Sequence, residues 1–510
     1  MKYINYTIDL ICEVDYMKLF VSAAGILVLL FVAGCGFLEE SFFIGSTGNG
    51  GPTFSPVPFA WLEGNRTTDS TNLNQTTAYA LEWDASDFDD TYFTHSTGAN
   101  PEELTVNMDG NYLAAVTVPV TSASLRSCVQ AEIRVNTVAV DGALSECSYI
   151  RAETGHNESS LHIATLLPGL SAGDVIEVFV RATGGGGTVT VTGSAALYVE
   201  YVSSARTVFS GTATRTTSST NLNQTNPFAL QWAEVVKSSG FTHSDGASPE
   251  NITLDEAGNY LVFVNLPLRS NTAERQNTKL LVQINNGTVP GGEGRQGYIR
   301  VSSGHENASA HWSGLIYDVA AGSTLTVKTQ READSDTVTV GILGERAGIY
   351  IERISGTGYI YSSRGTTLTG GTNWNITPAQ SINWINDDII DTDTFTHSTT
   401  VGQHEIMINT DGDYLLIYND ALAIGTANPY RENVKVTISI NGTPISGAET
   451  KCHYIRDETG HEQSSGTMVY LLNNVTEGDL VTINAERESE LATGDVTADQ
   501  DAILMLWRKR

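Results

Sequence analysis

The stretch Tyr149-Ile150-Arg151-Ala152-Glu153-Thr154-Gly155-His156 decides how the chain is divided, because it occurs three times. It returns as Tyr298-Ile299-Arg300-Val301-Ser302-Ser303-Gly304-His305 and as Tyr454-Ile455-Arg456-Asp457-Glu458-Thr459-Gly460-His461. The copies lie roughly 150 residues apart, the size of a whole domain and far longer than the repeats of solenoids or propellers. The sequence therefore predicts three tandem domains.

Apolar residues alternate with polar ones around each copy, as in Leu104–Met108, Tyr260–Leu266 and Val434–Ile440. A period of two is typical of half-buried strands, so the three domains are predicted to be all-β. Asn286-Gly287 and Asn441-Gly442 follow such runs and predict two-residue hairpin turns. We count eight to ten short strands in each repeat, on the order expected of a two-sheet jelly roll.

The repeats share an order of short motifs. These are Phe-Thr-His-Ser, Gly-x-Tyr-Leu, the hairpin, Tyr-Ile-Arg, a turn with Gly and a closing apolar strand such as Ala196–Val202. This order resembles the jelly roll shared by tumour necrosis factor and the globular head of complement's first component. The resemblance covers residues 59–510 and implies three tandem jelly-roll β-sandwiches. The predicted segments are a leader at 1–35, a tether at 36–58 and domains at 59–204, 205–355 and 356–510.

Members of that family usually form compact threefold trimers, so the resemblance implies a possible single-chain pseudo-trimer. Only Ser203–Arg206 and Ser355–Gly358 separate the repeats. A string of beads, or a subunit whose edge strands join neighbours into a fibre, is equally compatible with the sequence.

The leader has the layout of an export signal. Met17-Lys18 precedes an apolar run from Leu19 to Phe31, and Val32-Ala33-Gly34-Cys35 resembles a bacterial lipobox in which Cys35 is lipidated. The acidic residues before Met17 suggest that Met17 is the true start. The alternative is a membrane-spanning anchor over about Leu19–Leu38. Either interpretation predicts an extracytoplasmic protein attached to a membrane, at the cell surface or outer membrane, or else secreted.

Composition limits the partners. The net charge is −30, but only 17% of residues are charged. No basic stripe is present to neutralise phosphates, so the sequence argues against a nucleic-acid partner. Self-association, or a protein or glycan ligand at the surface, remains compatible with this composition.

The cysteines favour one disulfide. Cys128 and Cys147 flank a hairpin of the first repeat only, and an exported protein permits their oxidation. The alternative is two buried thiols. Cys452 has no partner in its repeat, so we expect a free thiol or an intermolecular link.

Repeated histidines and arginines are the first candidates for a ligand site. The set consists of Arg151, His156, Arg300, His305, Arg456 and His461, together with the Phe-Thr-His histidines His95, His243 and His397. Histidine suits metal binding and pH sensing, and arginine suits carboxylate ligands. Glu153 and Glu458 become Ser302 in the second repeat, which favours polar turn residues over a metal site. No cofactor is expected.

Acidic residues offer a second candidate, a calcium site. Asp87, Asp89, Asp391 and Asp393 stand at spacings that calcium accepts, in what we predict to be loops. The second repeat lacks them, which favours solvated charge.

Catalytic motifs are missing from the sequence. It contains no Gly-x-Ser-x-Gly, no His-Glu-x-x-His and no phosphate-binding glycine loop. We therefore expect a non-enzymatic surface protein with a structural or adhesive role. A glycan- or protein-binding lipoprotein is the alternative, and an extracellular hydrolase using His156, His305 or His461 is disfavoured.

Overall fold

The computed structural model is all-β in the residues that it describes. These residues are 20–22, 25–27, 56–122, 126–146, 150–151, 155–271, 276–295, 299, 305–332, 339–343, 346–354, 359–425, 431–451, 454–456, 460–488 and 494–510. The chain divides into two compact units, 1–55 and 56–510. In the first unit, β1 (Phe20–Ser22) pairs antiparallel with β2 (Gly25–Leu27). The predicted lipidation residue Cys35 lies outside the described residues, within which no helix is long and apolar enough to cross a membrane.

The first sandwich has two antiparallel sheets. Its strands are β3 (Phe59–Gly64), β4 (Arg66–Thr67), β5 (Tyr79–Glu82), β6 (Ala85–Phe88), β7 (Phe93–His95), β8 (Leu104–Val106), β9 (Gly110–Ser122), β10 (Ser127–Val135), β11 (Val138–Glu146), β12 (Glu158–Leu170), β13 (Val175–Gly185), β14 (Val189–Val191) and β15 (Ala195–Val202). One sheet runs β12-β9-β15-β3-β6, and the other runs β11-β10-β13-β5-β4. The chain therefore crosses repeatedly from one sheet to the other, as in a jelly roll.

The second sandwich repeats this plan. Its strands are β16 (Thr207–Thr216), β17 (Phe228–Lys237), β18 (Phe241–Thr242), β19 (Ile252–Leu254), β20 (Gly258–Ser270), β21 (Thr278–Ile284), β22 (Gly287–Arg295), β23 (Asn307–Val319), β24 (Ser323–Arg331), β25 (Val340–Ile342) and β26 (Ala347–Ile354). The long strand β17 pairs with β24 at its start and with β16 further along, so it joins the two sheets.

The third sandwich has a five-stranded sheet in the same order as the β6-β3-β15-β9-β12 sheet of the first. Its strands are β27 (Ile360–Gly365), β28 (Thr367–Leu368), β29 (Gln380–Asn383), β30 (Asn386–Ile390), β31 (Phe395–Thr396), β32 (Ile406–Ile408), β33 (Gly412–Asn419), β34 (Leu422–Ile424), β35 (Arg431–Glu432), β36 (Val434–Ile440), β37 (Thr443–Thr450), β38 (Ile455–Arg456), β39 (Gln463–Ser464), β40 (Thr467–Val475), β41 (Leu480–Arg487), β42 (Val496–Ala498) and β43 (Ala502–Arg508). The prediction of three jelly-roll sandwiches is confirmed.

The second hairpin turn lies one residue earlier than predicted. Asn285 and Asn286 adopt φ of 50° and 68°, and Gly287 already begins β22. Two-residue turns that match strand twist need positive φ at both positions, and asparagine tolerates this conformation. In the third sandwich the turn falls on Asn441 and Gly442, as predicted.

The repeated Tyr-Ile-Arg stretch forms little regular strand. Ile150 and Ile299 each form a single bridge, and only Ile455 belongs to a strand, β38. All three isoleucines are buried in their sandwiches. In each repeat the stretch therefore contributes one buried isoleucine to the core of its sandwich.

Contacts between the sandwiches close a ring. In the first seam, between the first and second sandwiches, Asn265 Nδ2 donates to Gly142 O at 2.7 Å. In the second seam, between the second and third, Asn419 Nδ2 donates to Glu293 O at 3.4 Å. In the third seam, between the third and first, the Lys451 amide donates to Ser160 Oγ at 3.0 Å. One apolar cluster contains buried residues of all three sandwiches, including Tyr198, Tyr350 and Met505. Such a continuous core is typical of a permanent assembly.

Candidate functional site

Three glycines let the sandwiches approach each other closely. Gly142, Gly291 and Gly447 occupy the same place in their repeats and have φ of +80°, +61° and +80°. A Cβ on Gly142 would lie 2.9 Å from Gly348 Cα, and one on Gly291 would lie 2.7 Å from Asp501 O. At Gly447 it would overlap the Ser194 carbonyl. Each seam therefore depends on a backbone with no side chain.

Where the three sandwiches meet, a cluster of four charged side chains is buried. Arg206 binds Glu200 of the first sandwich and Glu352 of the second, the latter through Nε at 2.5 Å. Lys509 of the third sandwich lies 2.7 Å from Glu200, and both side chains are fully buried. Burial opposes ionisation of Glu200, but Arg206 and Lys509 hold the pKa of its carboxyl below the ordinary value. The cluster carries two charges of each sign, so its ions are paired.

The third sandwich breaks the symmetry of this cluster. Glu200 pairs with Leu113 and Glu352 with Leu261, and the corresponding partner of Leu415 is Trp507. A third glutamate would leave the buried acids in excess, which is costly at low dielectric. Instead, Lys509 Nζ lies 3.2 Å from the centre of the Trp507 ring. The three repeats are therefore not interchangeable at this point.

Two seams contain a buried cation. In the second seam Arg295 binds Glu293 at 2.5 Å and also Asp499. In the third seam Lys451 lies 2.6 Å from Glu158 and 2.9 Å from Glu449. These pairs link neighbouring sandwiches.

The first seam has an acid at the place of these cations. Glu146 closes β11 opposite Gln130, as Arg295 closes β22 opposite Lys279. Burial raises the pKa of Glu146 to about 8, although Thr183 donates a hydrogen bond to it. The first seam therefore lacks a buried cation at this place, and its ion pair between Asp141 and Arg346, at 3.1 Å, lies at the surface.

One groove lies between the third and first sandwiches. It has a volume of about 880 Å³ and is lined by hydroxyl, amide and charged side chains, including Thr482, Asn484, Lys435 and Glu486. Thr192 and Gly193 of the first sandwich complete its wall. A smaller cavity of about 380 Å³ lies between the second and third sandwiches. Polar concave surfaces of this kind can hold small hydrophilic ligands.

The Phe-Thr-His histidines hold loops in place. Nε2 of His95, His243 and His397 lies 3.1, 3.1 and 3.0 Å from the carbonyl oxygens of Pro101, Pro249 and Gln403. Burial opposes protonation of His397, but its hydrogen bond with Asp387 raises the pKa above the ordinary value. The repeated carbonyl contact explains why histidine recurs here.

The Tyr-Ile-Arg…Gly-His residues do not meet in one pocket. The amides of Arg151 and Arg456 donate to the carbonyls of His156 and His461 at 2.8 and 2.9 Å, which closes a local turn. His156, His305 and His461 are buried, and the ring of His156 packs 5.5 Å from Tyr454 across the third seam. Arg300 lies outside the described residues.

The acidic candidates are used within the fold. Asp87 lies on strand β6 and not in a loop, because β6 pairs with β3, and it binds Arg510. Asp89 accepts the Thr91 amide at 2.9 Å. Asp391 accepts from the Thr394 hydroxyl at 2.7 Å and from the Asp393 amide at 3.3 Å. Within the described ranges, no group of three or more histidines, cysteines or acids could hold a metal ion.

The predicted disulfide stays a prediction. Cys128 is buried on β10, but Cys147 lies outside the described residues, as does Cys452. Cys128 also contacts the Glu146 carboxyl. The region around this cysteine therefore belongs to the first seam.

Comparison with known proteins gives similarity only among solved structures. No protein-family model and no curated protein matches the chain. A crystal structure of murine APRIL is 12% identical and is matched over 29% of this chain and 99% of APRIL, with a TM-score of 0.22. Eiger TNF from S. frugiperda is 13% identical over 29% of this chain and 94% of its own, with a TM-score of 0.22. The jelly-roll assignment of this chain rests on its own strand order.

Tyr470 offers a direct probe of the third seam. Its hydroxyl donates to Glu63 Oε1 of the first sandwich at 2.8 Å. We expect Tyr470→Phe to lower the free energy of unfolding by about 2 kcal/mol, because the partly buried carboxylate loses a donor. Tyr112→Phe, which removes a hydrogen bond to Met108 O within one sandwich, should cost about 1 kcal/mol. Chemical denaturation of both variants measures the difference, and equal losses would contradict the role of Glu63.

Proposed function

We propose that this chain is an exported, lipid-anchored surface protein whose three jelly rolls form a single-chain pseudo-trimer with a structural or adhesive role. The observation that carries this proposal is the buried cluster of Glu200, Arg206, Glu352 and Lys509, which takes side chains from all three repeats. A string of independent beads would leave these four charges without their partners. The proposal includes no catalytic step.

The three seams also support an intramolecular assembly. The resemblance implies threefold trimers, and here each sandwich contacts the two other sandwiches of the same chain. The membrane partner in this proposal is the lipid on Cys35, and stable anchoring takes more than one acyl chain. The acidic, sparsely charged surface suits an extracytoplasmic position.

Particle mass and shape test the proposal. We expect the exported protein, examined by light scattering after size exclusion and by negative-stain microscopy, to have the mass of one chain and a compact three-lobed shape. Extended beads would contradict the closed ring. Filaments or trimers of chains would contradict the intramolecular assembly. Binding of the protein to intact cell surfaces, compared with the binding of an unrelated acidic protein, tests the adhesive role.

A second candidate function is glycan or peptide binding in the 880 Å³ groove. The polar lining of that groove favours it, because hydroxyl and amide groups pair with sugar or peptide polar groups. Hits on a glycan or peptide array should disappear in Thr482→Trp, which fills the groove, and persist in Thr94→Trp, an exposed position of the first sandwich. Hits that both variants retain would exclude the groove as the binding site.

A further inference from the structure

The first seam contains two histidines that face each other across the joint. His162 lies on β12 of the first sandwich and His311 on β23 of the second, with ring centres 5.3 Å apart and planes at 87°. Thr467 of the third repeat has the same register, opposite Asn419 as His162 is opposite Thr117. This pair of rings therefore belongs to the first seam alone.

Neither histidine has an ionic partner. Ser145 Oγ accepts the His162 amide at 3.2 Å and lies 3.3 Å from His311 Nε2. The Nδ1 atom of His311 is buried and makes no hydrogen bond in the part of the chain that the structure describes, and the only group that favours a proton on the His162 ring is the backbone of Val116 among the described residues. The cross-strand partners of the pair, Thr117 on β9 and Asn265 on β20, are uncharged, and β40 of the third sandwich, which packs against both β12 and β23, has no charged residue.

Glu146 follows Ser145 directly in the same seam. One of its carboxyl oxygens accepts from Thr183, and the other is buried without a hydrogen-bond partner. Arg181 on β13 and Glu306 before β23 shift its pKa in opposite directions, and Asp141 on the same strand β11 is paired with Arg346. The seam thus holds three titratable groups that are most stable there without charge.

We propose that the first seam is a pH-sensitive joint, closed while His162 and His311 are neutral and Glu146 is protonated, and opened when either kind of group becomes charged. The second and third seams contain ion pairs at the place of Glu146, and among the described residues neither has a histidine pair of this kind. These seams and the buried cluster around Arg206 hold the ring together while the part of the first seam around His162 and His311 opens.

Burial determines whether each group takes up or releases a proton when the seam opens. Burial lowers the pKa of His162 to about 3 and that of His311 well below its ordinary value of 6.5. The opened seam therefore takes up two protons as the pH falls below about 6.5. Burial raises the pKa of Glu146 from 4.5 to about 8, so the opened seam releases one proton at any pH between these values.

The two effects make the closed seam most stable at about pH 6.5, where proton uptake and release on opening cancel. Towards pH 5 the net uptake approaches one proton, and the opened fraction rises by about tenfold per pH unit. Towards pH 8 the net release raises the opened fraction several-fold.

Hydrogen exchange of the full chain between pH 5 and pH 8, corrected for intrinsic rates, measures opening at β12 and β23. We expect protection to be highest near pH 6.5 and to fall on both sides. Strand β40, which has Thr467 at the histidine position, should not lose protection on the acid side. Protection of β12 and β23 that does not change with pH would overturn the proposal.

Substitutions distinguish the effect of the histidine pair from the effect of Glu146. The double change His162→Thr and His311→Thr, which introduces the residue of the third repeat, should remove the acid-side loss, and Glu146→Gln should remove the alkaline loss. His404→Thr, a partly exposed histidine outside the seam, should leave the profile unchanged. If the double variant does not fold, Glu146→Gln still decides, because an unaltered alkaline loss in that variant would overturn the joint.

Discussion

Replacing Arg206 with Met is expected to lower the free energy of unfolding by about 3 to 5 kcal/mol. The arginine is the shared partner of Glu200 and Glu352, and these carboxylates are almost completely buried. Without it, Tyr350, at 2.9 Å, is the hydrogen-bond donor that Glu352 keeps among the described residues, whereas Glu200 keeps Lys509 and Tyr198. The loss arises because a buried charge remains without an ionic partner. Denaturant unfolding followed by tryptophan fluorescence measures it.

Two further variants locate the effect. Arg66→Met removes the half-exposed pair with Glu82 and should change stability by less than about 1 kcal/mol. Adding Glu352→Gln to Arg206→Met neutralises the acid that lost its partner, so it should recover a large part of the loss. An equal effect of Arg206→Met and Arg66→Met, or no recovery in the double variant, would show that the cluster does not hold the sandwiches together.

Gly447→Ala is expected to destabilise the third seam by about 3 kcal/mol or more. The new methyl group would overlap the backbone carbonyl of Ser194, so the first and third sandwiches would have to move apart. The positive φ of +80° adds about 1 to 2 kcal/mol of backbone strain. The free energy of unfolding and the hydrogen exchange of β9 and β37 measure the two effects.

Gly442→Ala is the matched control. Gly442 lies in the same sandwich with a similar φ of +75°, and a Cβ there would meet nothing within 4 Å. We expect only the backbone strain, about 1 to 2 kcal/mol, and no change at the third seam. Equal losses of stability in the two alanine variants would show that Gly447 is not needed for the close approach of the sandwiches.

The fold was accessible from the sequence because its signals are local and repeated. The Gly-x-Tyr-Leu motifs place Tyr112, Tyr260 and Tyr414 at the start of a central strand, and all three are buried. The alternation of apolar and polar residues identified the strands, and the asparagines identified the hairpin turns, although the turn at Asn285 was predicted one residue late. Each of these signals depends on neighbours a few residues away.

The assembly was less accessible, because its contacts join residues far apart in the chain. Glu200 and Glu352 stand in apolar closing strands, where a repeated acid was a visible but unexplained signal, and Lys509 lies in a short basic end. Only the folded ring brings these groups to Arg206. Gly142, Gly291 and Gly447 recur after each hairpin, which was a second available signal, but the sequence does not show what approaches them.

Trp507 stands in the third sandwich at the position that Glu200 and Glu352 occupy in the first and second. The three sandwiches can therefore acquire different residues at equivalent positions of the ring. In an assembly of identical chains, every substitution appears three times around the axis and must fit all three positions. Here one face can acquire a contact while its counterparts keep theirs, and dilution does not separate the lobes because they share one backbone. A partner that binds a face present in one sandwich alone would therefore bind the ring in a single orientation.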